Sequence, residues 1–526
     1  MRYLHIALLI SMGFASNAAS LALPETVRAE LKRAHIPLSS VGVVVQQAGA
    51  RLPLISQNGK QAMNPASTMK LLTTFAALET LGPAYRWKTE AYLDGPLENG
   101  VLQGNLVFKG YGDPKLNIEQ FWMWLRELRQ RGLRDIRGDI VLDCSFFEDI
   151  DHDPAEFDND PTRAYNVGPN ALLLNFNAMR LRLIPGADHT RVLLDPELSG
   201  YAISNHVRTT TKQPCRRGDY YSARLEERNI VLEGTIPLGC GEVEDYLSLL
   251  PHSEYFFAVF SSLWKELGGT LQGRLRAGNV TDGRAVFSTH FSPPLSEVIR
   301  DINKFSNNTM ARQVFLTLGT EVPESATSIL PQTRVFQNRA DLPNKKAPST
   351  EATNPGNQLY DKIGGGTESG SERVSAQDEQ PLRCDPSASI ARSTVAMQQW
   401  LNSKRLHFPE LVLENGSGLS RSERISAQSL AELLQSAARS PFSAELESSL
   451  PILGYDGTLN YRLRDNESAG FAHLKTGMLE GVKSLAGYVK SRSGEQWVLV
   501  FIINHHNARY GQAAQDALVE WLQKRH

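Results

Sequence analysis

Apolar residues run in short, dense blocks near both ends of the chain and more sparsely between. "VGVVVQQAGARLPLISQNG", Val41 to Gly59, reads as two strands around a turn at Gly49. "AGYVKSRSGEQWVLVFIIN", Ala486 to Asn504, reads as a hairpin around Ser493-Gly494. A helical pattern follows each: a turn and helix over Met63 to Gly82, and a closing helix over Gly511 to Lys524. Strand, strand, helix at both ends predicts one antiparallel sheet flanked by helices, an α/β (α+β) unit.

The middle of the chain differs. In "AYLDGPLENGVLQGNLVFKG" the pair Asn99-Gly100 separates strand-like runs and predicts a hairpin. Ile118 to Gly132 is an amphipathic helix with Phe121, Trp124, Leu125 and Leu128 on one stripe and Gly132 as its stop. "ALLLNFNAMRLRLIPG" and "NIVLEGTIPLG" read as strands, and Ser253 to Leu267 as a helix. Leu295 to Leu318 is a helix–turn–helix with "KFSNNTMARQ" at its middle, and another helix is expected around Ala391 to Leu401. Glu321 to Arg383 holds "GGGTESGSERVSAQDEQ", several prolines and few large apolar residues. It cannot bury much surface and is expected to be a flexible insertion.

The organisation expected is therefore a catalytic unit of residues 23–87 and 286–526, carrying the insertion at 321–383. An inserted β-rich region of two subdomains, residues 88–285, interrupts it. Residues 1–22 read as a signal peptide: Arg2, an apolar stretch from Tyr3 to Phe14, then Ala15, Ser16, Ala18, Ala19 and Ser20. The apolar stretch is short for a membrane span, and no later run reaches about 18 apolar residues. No stable transmembrane anchor is expected after cleavage, which places the protein in the periplasm.

A net charge of -2 and a pI near 6.7 give no support to nucleic-acid binding. The four cysteines, Cys144, Cys215, Cys240 and Cys384, include no C-x-x-C pair, so no metal is expected. Cys215 with Cys240 is the preferred disulfide because the two bracket one strand-rich segment, although sequence alone allows three connectivities.

Chemistry enters at "PASTMKLLTTFAALETLG", Pro65 to Gly82. Ser67 and Lys70 stand i, i+3, so the hydroxyl and the amine can meet. A serine becomes a nucleophile when a base takes its proton. A lysine is such a base only when burial and a neighbouring cation keep it neutral. The bland reading is a helix cap beside a snorkelling lysine. Lys475-Thr476-Gly477 offers the second cation and a way to bind a substrate carboxylate, with Gly477 allowing close backbone approach. Ser306-Asn307-Asn308 offers a proton-relaying hydroxyl at Ser306 and an amide at Asn308 for a substrate carbonyl. Each motif alone is weak. Ser262-Leu-Trp-Lys265 and Ser56-Gln57-Asn58 are decoys read as structural. S-x-x-K, S-x-N and K-T-G in that order form the signature of penicillin-binding proteins and class A β-lactamases.

With these motifs the chain resembles the D-alanyl-D-alanine carboxypeptidase/endopeptidase family of the penicillin-binding protein 4 type, peptidase family S13. "NGSGLSR" at Asn415 to Arg421, "LPILGYDGTLNYR" at Leu450 to Arg462 and "LKTGMLEGVKSLAGYV" also look like segments of that family. The resemblance implies a penicillin-recognising, transpeptidase-like domain with no cofactor. Ser67 would be the acyl-enzyme nucleophile, Lys70 its base, and Ser306 and Asn308 the relay and substrate-amide groups. Lys475 and Thr476 would recognise the terminal carboxylate, and the backbone N–H groups of Ser67 and Met478 would form the oxyanion hole. "NDPTRAY" resembles a stretch contacting the diaminopimelate side chain, through Asp160 and Tyr165. The family usually has a hydroxyl residue where Met478 stands, often Gln at Glu480 and Asp at Asn415.

The expected partners are peptidoglycan stem peptides, with β-lactams as covalent inhibitors. The competing readings are a β-lactamase or esterase on the same fold, and a non-catalytic wall-binding scaffold. The large inserted region argues against the first. The intact Ser67, Lys70 and Lys475 argue against the second.

Overall fold

The computed structural model describes residues 20–148, 152–215, 220–281, 283–320, 322–323 and 388–525. Nearly all of the expected signal peptide and of the 321–383 insertion lies outside the described residues.

Helix α1 (Glu25–Arg33) leads into β1 (Val41–Gln47) and β2 (Ile55–Gln57), and α2 (Lys70–Leu81) follows. After the middle region come α3 (Leu295–Phe305), α4 (Asn308–Leu318), α5 (Ile390–Ser403) and α6 (Ala427–Ala438). The chain closes with β3 (Ala472–Leu479), β4 (Val482–Lys490), β5 (Gln496–Asn504) and α7 (Gln512–Gln523). The five strands form one antiparallel sheet in the order β2-β1-β5-β4-β3. Val41 pairs with Ile503, so the two chain ends meet at the centre of the sheet.

The unbroken apolar run of β5 is explained by burial on both faces. Leu499, Phe501 and Ile503 share a core with Val27 and Leu31 of α1 and Leu518 and Leu522 of α7. Val498, Val500 and Ile502 share the opposite core with Leu72 and Phe75 of α2, Ile299 of α3, Val314 of α4 and Leu430 of α6. That second layer carries the candidate chemistry.

Between Lys88 and Phe291 the chain builds separate sheets. One has five strands in the order 275–277, 140–143, 105–110, 88–94, 288–291, and two others have three strands each. The helix read over 118–132 forms at Ile118–Gln130, capped by Asn117, whose side chain accepts from Gln120 N–H at 3.0 Å. Its stripe of Phe121, Trp124, Leu125 and Leu128 is buried. Phe108 lies among Phe121, Trp124, Phe256 and Phe260, with ring centroids 5.2–6.2 Å away. Asn99 (φ 51°) and Gly100 (φ 87°) turn the expected hairpin, both with the positive φ that a type I′ turn requires. Cys215 and Cys240 are disulfide-bonded.

One strand reading needs correction. In "ALLLNFNAMRLRLIPG" only Met179–Pro185 is extended. Asn175, Phe176 and Asn177 take positive φ in a 3-10 turn. The Asn175 side chain donates to the Ala178 carbonyl at 2.9 Å and to Tyr255 Oη at 3.1 Å. Asparagine side chains that satisfy local backbone compete with strand formation, and here they win over the apolar pattern.

Truncating Phe108 to alanine is expected to lower stability by about 3–5 kcal/mol, read by denaturant unfolding. A change within error would mean that the aromatic cluster does not hold this region together.

Candidate active site

Ser67 does not cap a helix. It lies in a 3-10 turn, Ala66–Met69, that runs directly into α2 at Lys70. A 3-10 turn has three residues per turn, so i and i+3 side chains eclipse. Lys70 Nζ lies 3.0 Å from Ser67 Oγ. The turn begins at Ala66, whose φ of 47° is left-handed and strained for a residue with a Cβ. Several contacts hold it. Asn64 Oδ1 accepts from Ala66 N–H at 2.9 Å, the Asn504 side-chain amide accepts from the Asn64 N–H and donates to the Asn64 carbonyl, and Ser484 Oγ donates to the Pro65 carbonyl at 2.6 Å.

Lys70 is 0 % exposed. Its Nζ donates to Asn308 Oδ1 at 2.6 Å and to the Ser417 carbonyl. Burial pushes its ammonium well below the ordinary amine range. Lys475 pushes the same way, Glu423 opposes, and Arg312 adds to the depression. Lys475 is also 0 % exposed, and burial pushes it down to about 7. Its Nζ donates to Ser306 Oγ at 2.9 Å and to the Thr476 carbonyl at 2.9 Å. The hydroxyls of Thr476 and Thr458 share a hydrogen bond of 2.7 Å.

The three motifs therefore converge from α2, the α3–α4 junction and β3. The second motif divides its contacts between the two lysines. Ser306, left-handed at φ 60° between α3 and α4, bonds Lys475. Asn308 takes the contact with Lys70, and its Nδ2 donates to the Tyr165 carbonyl at 3.3 Å. Gly477 makes its close approach to protein. A Cβ there would lie 2.8 Å from the Pro65 carbonyl oxygen and 2.9 Å from Ser67 N, so the missing side chain lets β3 touch the turn that carries Ser67. That packing also brings the Ser67 backbone N–H beside the strand that carries Met478, whose side chain is 68 % exposed.

Tyr165 reaches the cleft through its backbone, while its hydroxyl donates to Asp158 at 2.7 Å. Asp160 closes its own turn. It accepts from Thr162 N–H at 3.1 Å, from Thr162 Oγ1 at 2.7 Å and from Arg163 at 2.7 Å. Burial works against its charge, but these bonds outweigh burial and hold its carboxyl below the ordinary range. Glu480 stands with its side chain 92 % exposed, 3.8 Å from Arg421. A cavity of about 320 Å³ opens beside the cluster, between His152–Phe157 and the 414–422 turn; Ser67 and Lys70 are not among the residues lining it.

Three contributors were not singled out from sequence. The Ser417 carbonyl sits in "NGSGLSR", where Gly416 and Gly418 both have positive φ; a Cβ on Gly418 would lie 2.0 Å from the Ala66 carbonyl oxygen. Two glycines around a serine were the available signal. Arg312 is four residues after Asn308 and so on the same helix face. Glu423 is fully buried and had no sequence signal at all. The two decoys are structural: Ser262 and Lys265 lie within the helix His252–Glu266, and Asn58 donates to the carbonyls of Leu38 and Val41.

D-alanyl-D-alanine carboxypeptidase of Actinomadura sp. (strain R39) is 25% identical over 522 residues, spanning 96% of this chain and 85% of that protein. D-alanyl-D-alanine carboxypeptidase DacB of Haemophilus influenzae is 23% identical over 478 residues, spanning 89% and 86%. The crystal structure of penicillin binding protein 4 (dacB) from Haemophilus influenzae matches with a TM-score of 0.70 at 22% identity, covering 95% of this chain and 99% of that one. That likeness shows a shared fold. The model of the D-Ala-D-Ala carboxypeptidase 3 (S13) family matches residues 23–339 and 383–525, and the chain belongs to that family.

Proposed function

We propose that the protein is a serine-type D-Ala-D-Ala carboxypeptidase working on peptidoglycan stem peptides through a Ser67 acyl-enzyme, and that it also opens D-Ala–diaminopimelate cross-links. One observation carries the reading. A neutral amine has two N–H groups and one lone pair. Asn308 Oδ1 and the Ser417 carbonyl accept but cannot donate, so they occupy the two N–H groups of Lys70. The lone pair is left for the Ser67 hydroxyl, 3.0 Å away.

Lys475 and Thr476 receive the terminal carboxylate. Lys70 takes the Ser67 proton as Oγ bonds to the carbonyl carbon of the penultimate D-alanine. The oxygen that becomes negative is held by the backbone N–H groups of Ser67 and Met478. The proton passes from Lys70 through Ser306 to the nitrogen of the departing D-alanine, and the C–N bond breaks. Water then adds to the ester, giving its proton to Lys70, and Ser67 recovers that proton as it leaves. Penicillin, which carries a carboxylate and a reactive amide carbonyl, acylates the same oxygen.

Residues 88–285 form, in this reading, an inserted unit that brings the 158–167 stretch to the cleft, with Asp160 and Tyr165 flanking the diaminopimelate arm. We place the enzyme in the periplasm after export by the 1–22 leader. The Cys215–Cys240 bond supports an oxidising compartment, and no described helix is long and apolar enough to cross a membrane.

Fluorescent penicillin is expected to label the wild type and not Ser67→Ala; equal labelling of both would remove Ser67 as nucleophile. Lys70→Arg is expected to abolish acylation, because arginine keeps its proton, and retained labelling would point to another base. Digestion of purified sacculi should release D-alanine and shorten pentapeptide stems, with cross-linked muropeptides declining as well. Persistence of both while simple esters or β-lactams turn over would favour the esterase or β-lactamase reading. The pH dependence has a defined sign. Lys475 binds carboxylate only while charged, so kcat/KM should fall as pH rises through about 7. Lys475→Arg should remove that basic limb, and an unchanged limb would assign it to a different group.

A further inference from the structure

Two buried charges flank the catalytic lysine and take no part in the steps above. Glu423 is fully buried, and its Oε1 accepts the backbone N–H groups of Glu414, Asn415 and Gly416 at 3.2, 3.1 and 3.1 Å. Three successive N–H groups turned to one point make a concave anion seat. Glu423 Oε2 is buried with no hydrogen-bond partner among the described residues, and burial pushes the carboxyl above its ordinary range while the three N–H groups pull it back. The next residue along the fastened turn is Ser417, whose carbonyl receives Lys70 Nζ. Glu423 thus acts on Lys70 by fixing the acceptor that orients it and, when ionised, by placing a negative charge in the same buried layer.

Arg312 enters from α4, four residues after Asn308. Its guanidinium donates to the carbonyls of Val167 at 2.7 Å and Asn166 at 3.4 Å. The charged groups acting on Lys70 are Lys475 from β3, Arg312 from α4 and Glu423 from the segment before α6. Glu414, beside Glu423, acts on Arg312. Three basic groups, Lys70, Lys475 and Arg312, are buried together, and holding charge on any of them there is costly without an anion.

We propose that Glu423 is a positioning residue for the catalytic base: it fastens the 414–417 turn against Lys70 and supplies the buried anion that, set against Arg312, balances the cations of the site. The inference rests on the reading of Lys70 as base. Removing the anion makes the Lys70 ammonium harder to keep, so Lys70 becomes neutral, and competent, at lower pH. Removing the Arg312 charge does the reverse.

The test is the rate constant for acylation by fluorescent penicillin, measured against pH on the full chain. The variants are Glu423→Gln, Arg312→Gln and the double variant, beside the wild type and Ser67→Ala. Glu423→Gln keeps an oxygen for the three N–H groups and removes only charge. Its acid limb is expected about one pH unit below that of the wild type, the scale of a single nearby charge. Arg312→Gln should move the limb upward, and the double variant should return it toward the wild type. A limb unmoved in Glu423→Gln, or moved upward, overturns the proposal. Should that variant fail to fold, an unmoved limb in Arg312→Gln overturns it equally. Labelling that survives Ser67→Ala would instead sink the Ser67–Lys70 reading and leave no base for Glu423 to tune.

Discussion

The structure depends on keeping water away from one amine. Lys70 can serve as a base only where its ammonium cannot be hydrated, and every element around it contributes to that exclusion. The sheet lies behind it, the α3–α4 junction supplies Asn308, and the turn before α6 supplies the Ser417 carbonyl. Dehydration alone would leave the lone pair unaimed. The two acceptor-only partners aim it, and this division of labour explains why an amide oxygen and a carbonyl oxygen, and no carboxylate, touch the amine.

The same dryness makes the surrounding charges consequential. Lys475 depresses Lys70 and is itself brought into a range where it can lose its charge. A site built from two depressed lysines has a narrow working window. In the proposed reaction carboxylate recognition needs one of them protonated while catalysis needs the other bare, and a bound carboxylate would separate the two demands by stabilising the charge on Lys475.

Much of the architecture was legible because its signals were local. The i, i+3 spacing of Ser67 and Lys70, the Asn99-Gly100 turn and the stripe from Phe121 to Leu128 each state their geometry within a few residues. The order of the three motifs gave the site. The division of partners was not legible: Ser306 faces Lys475 and Asn308 faces Lys70 because the left-handed residue at 306 turns one side chain toward β3 and the next helix turns the other toward α2. Gly477 was read as room for substrate, yet its space is filled by the nucleophile turn, a contact set by how β3 packs on residues 65–67. Glu423 and Arg312 were invisible because their meaning lies in tertiary burial, and a charged residue in sequence ordinarily signals solvent.

The pairing of β1 with β5 joins residues more than four hundred positions apart, at the two ends of the polypeptide. The strand beside the nucleophile turn, β3, likewise comes from the last tenth or so of the chain. A chain that still lacks these last strands can hold Ser67 and Lys70 but has nothing to bury them against. The burial that sets the basicity of Lys70 therefore arrives only with the final strands of the sheet.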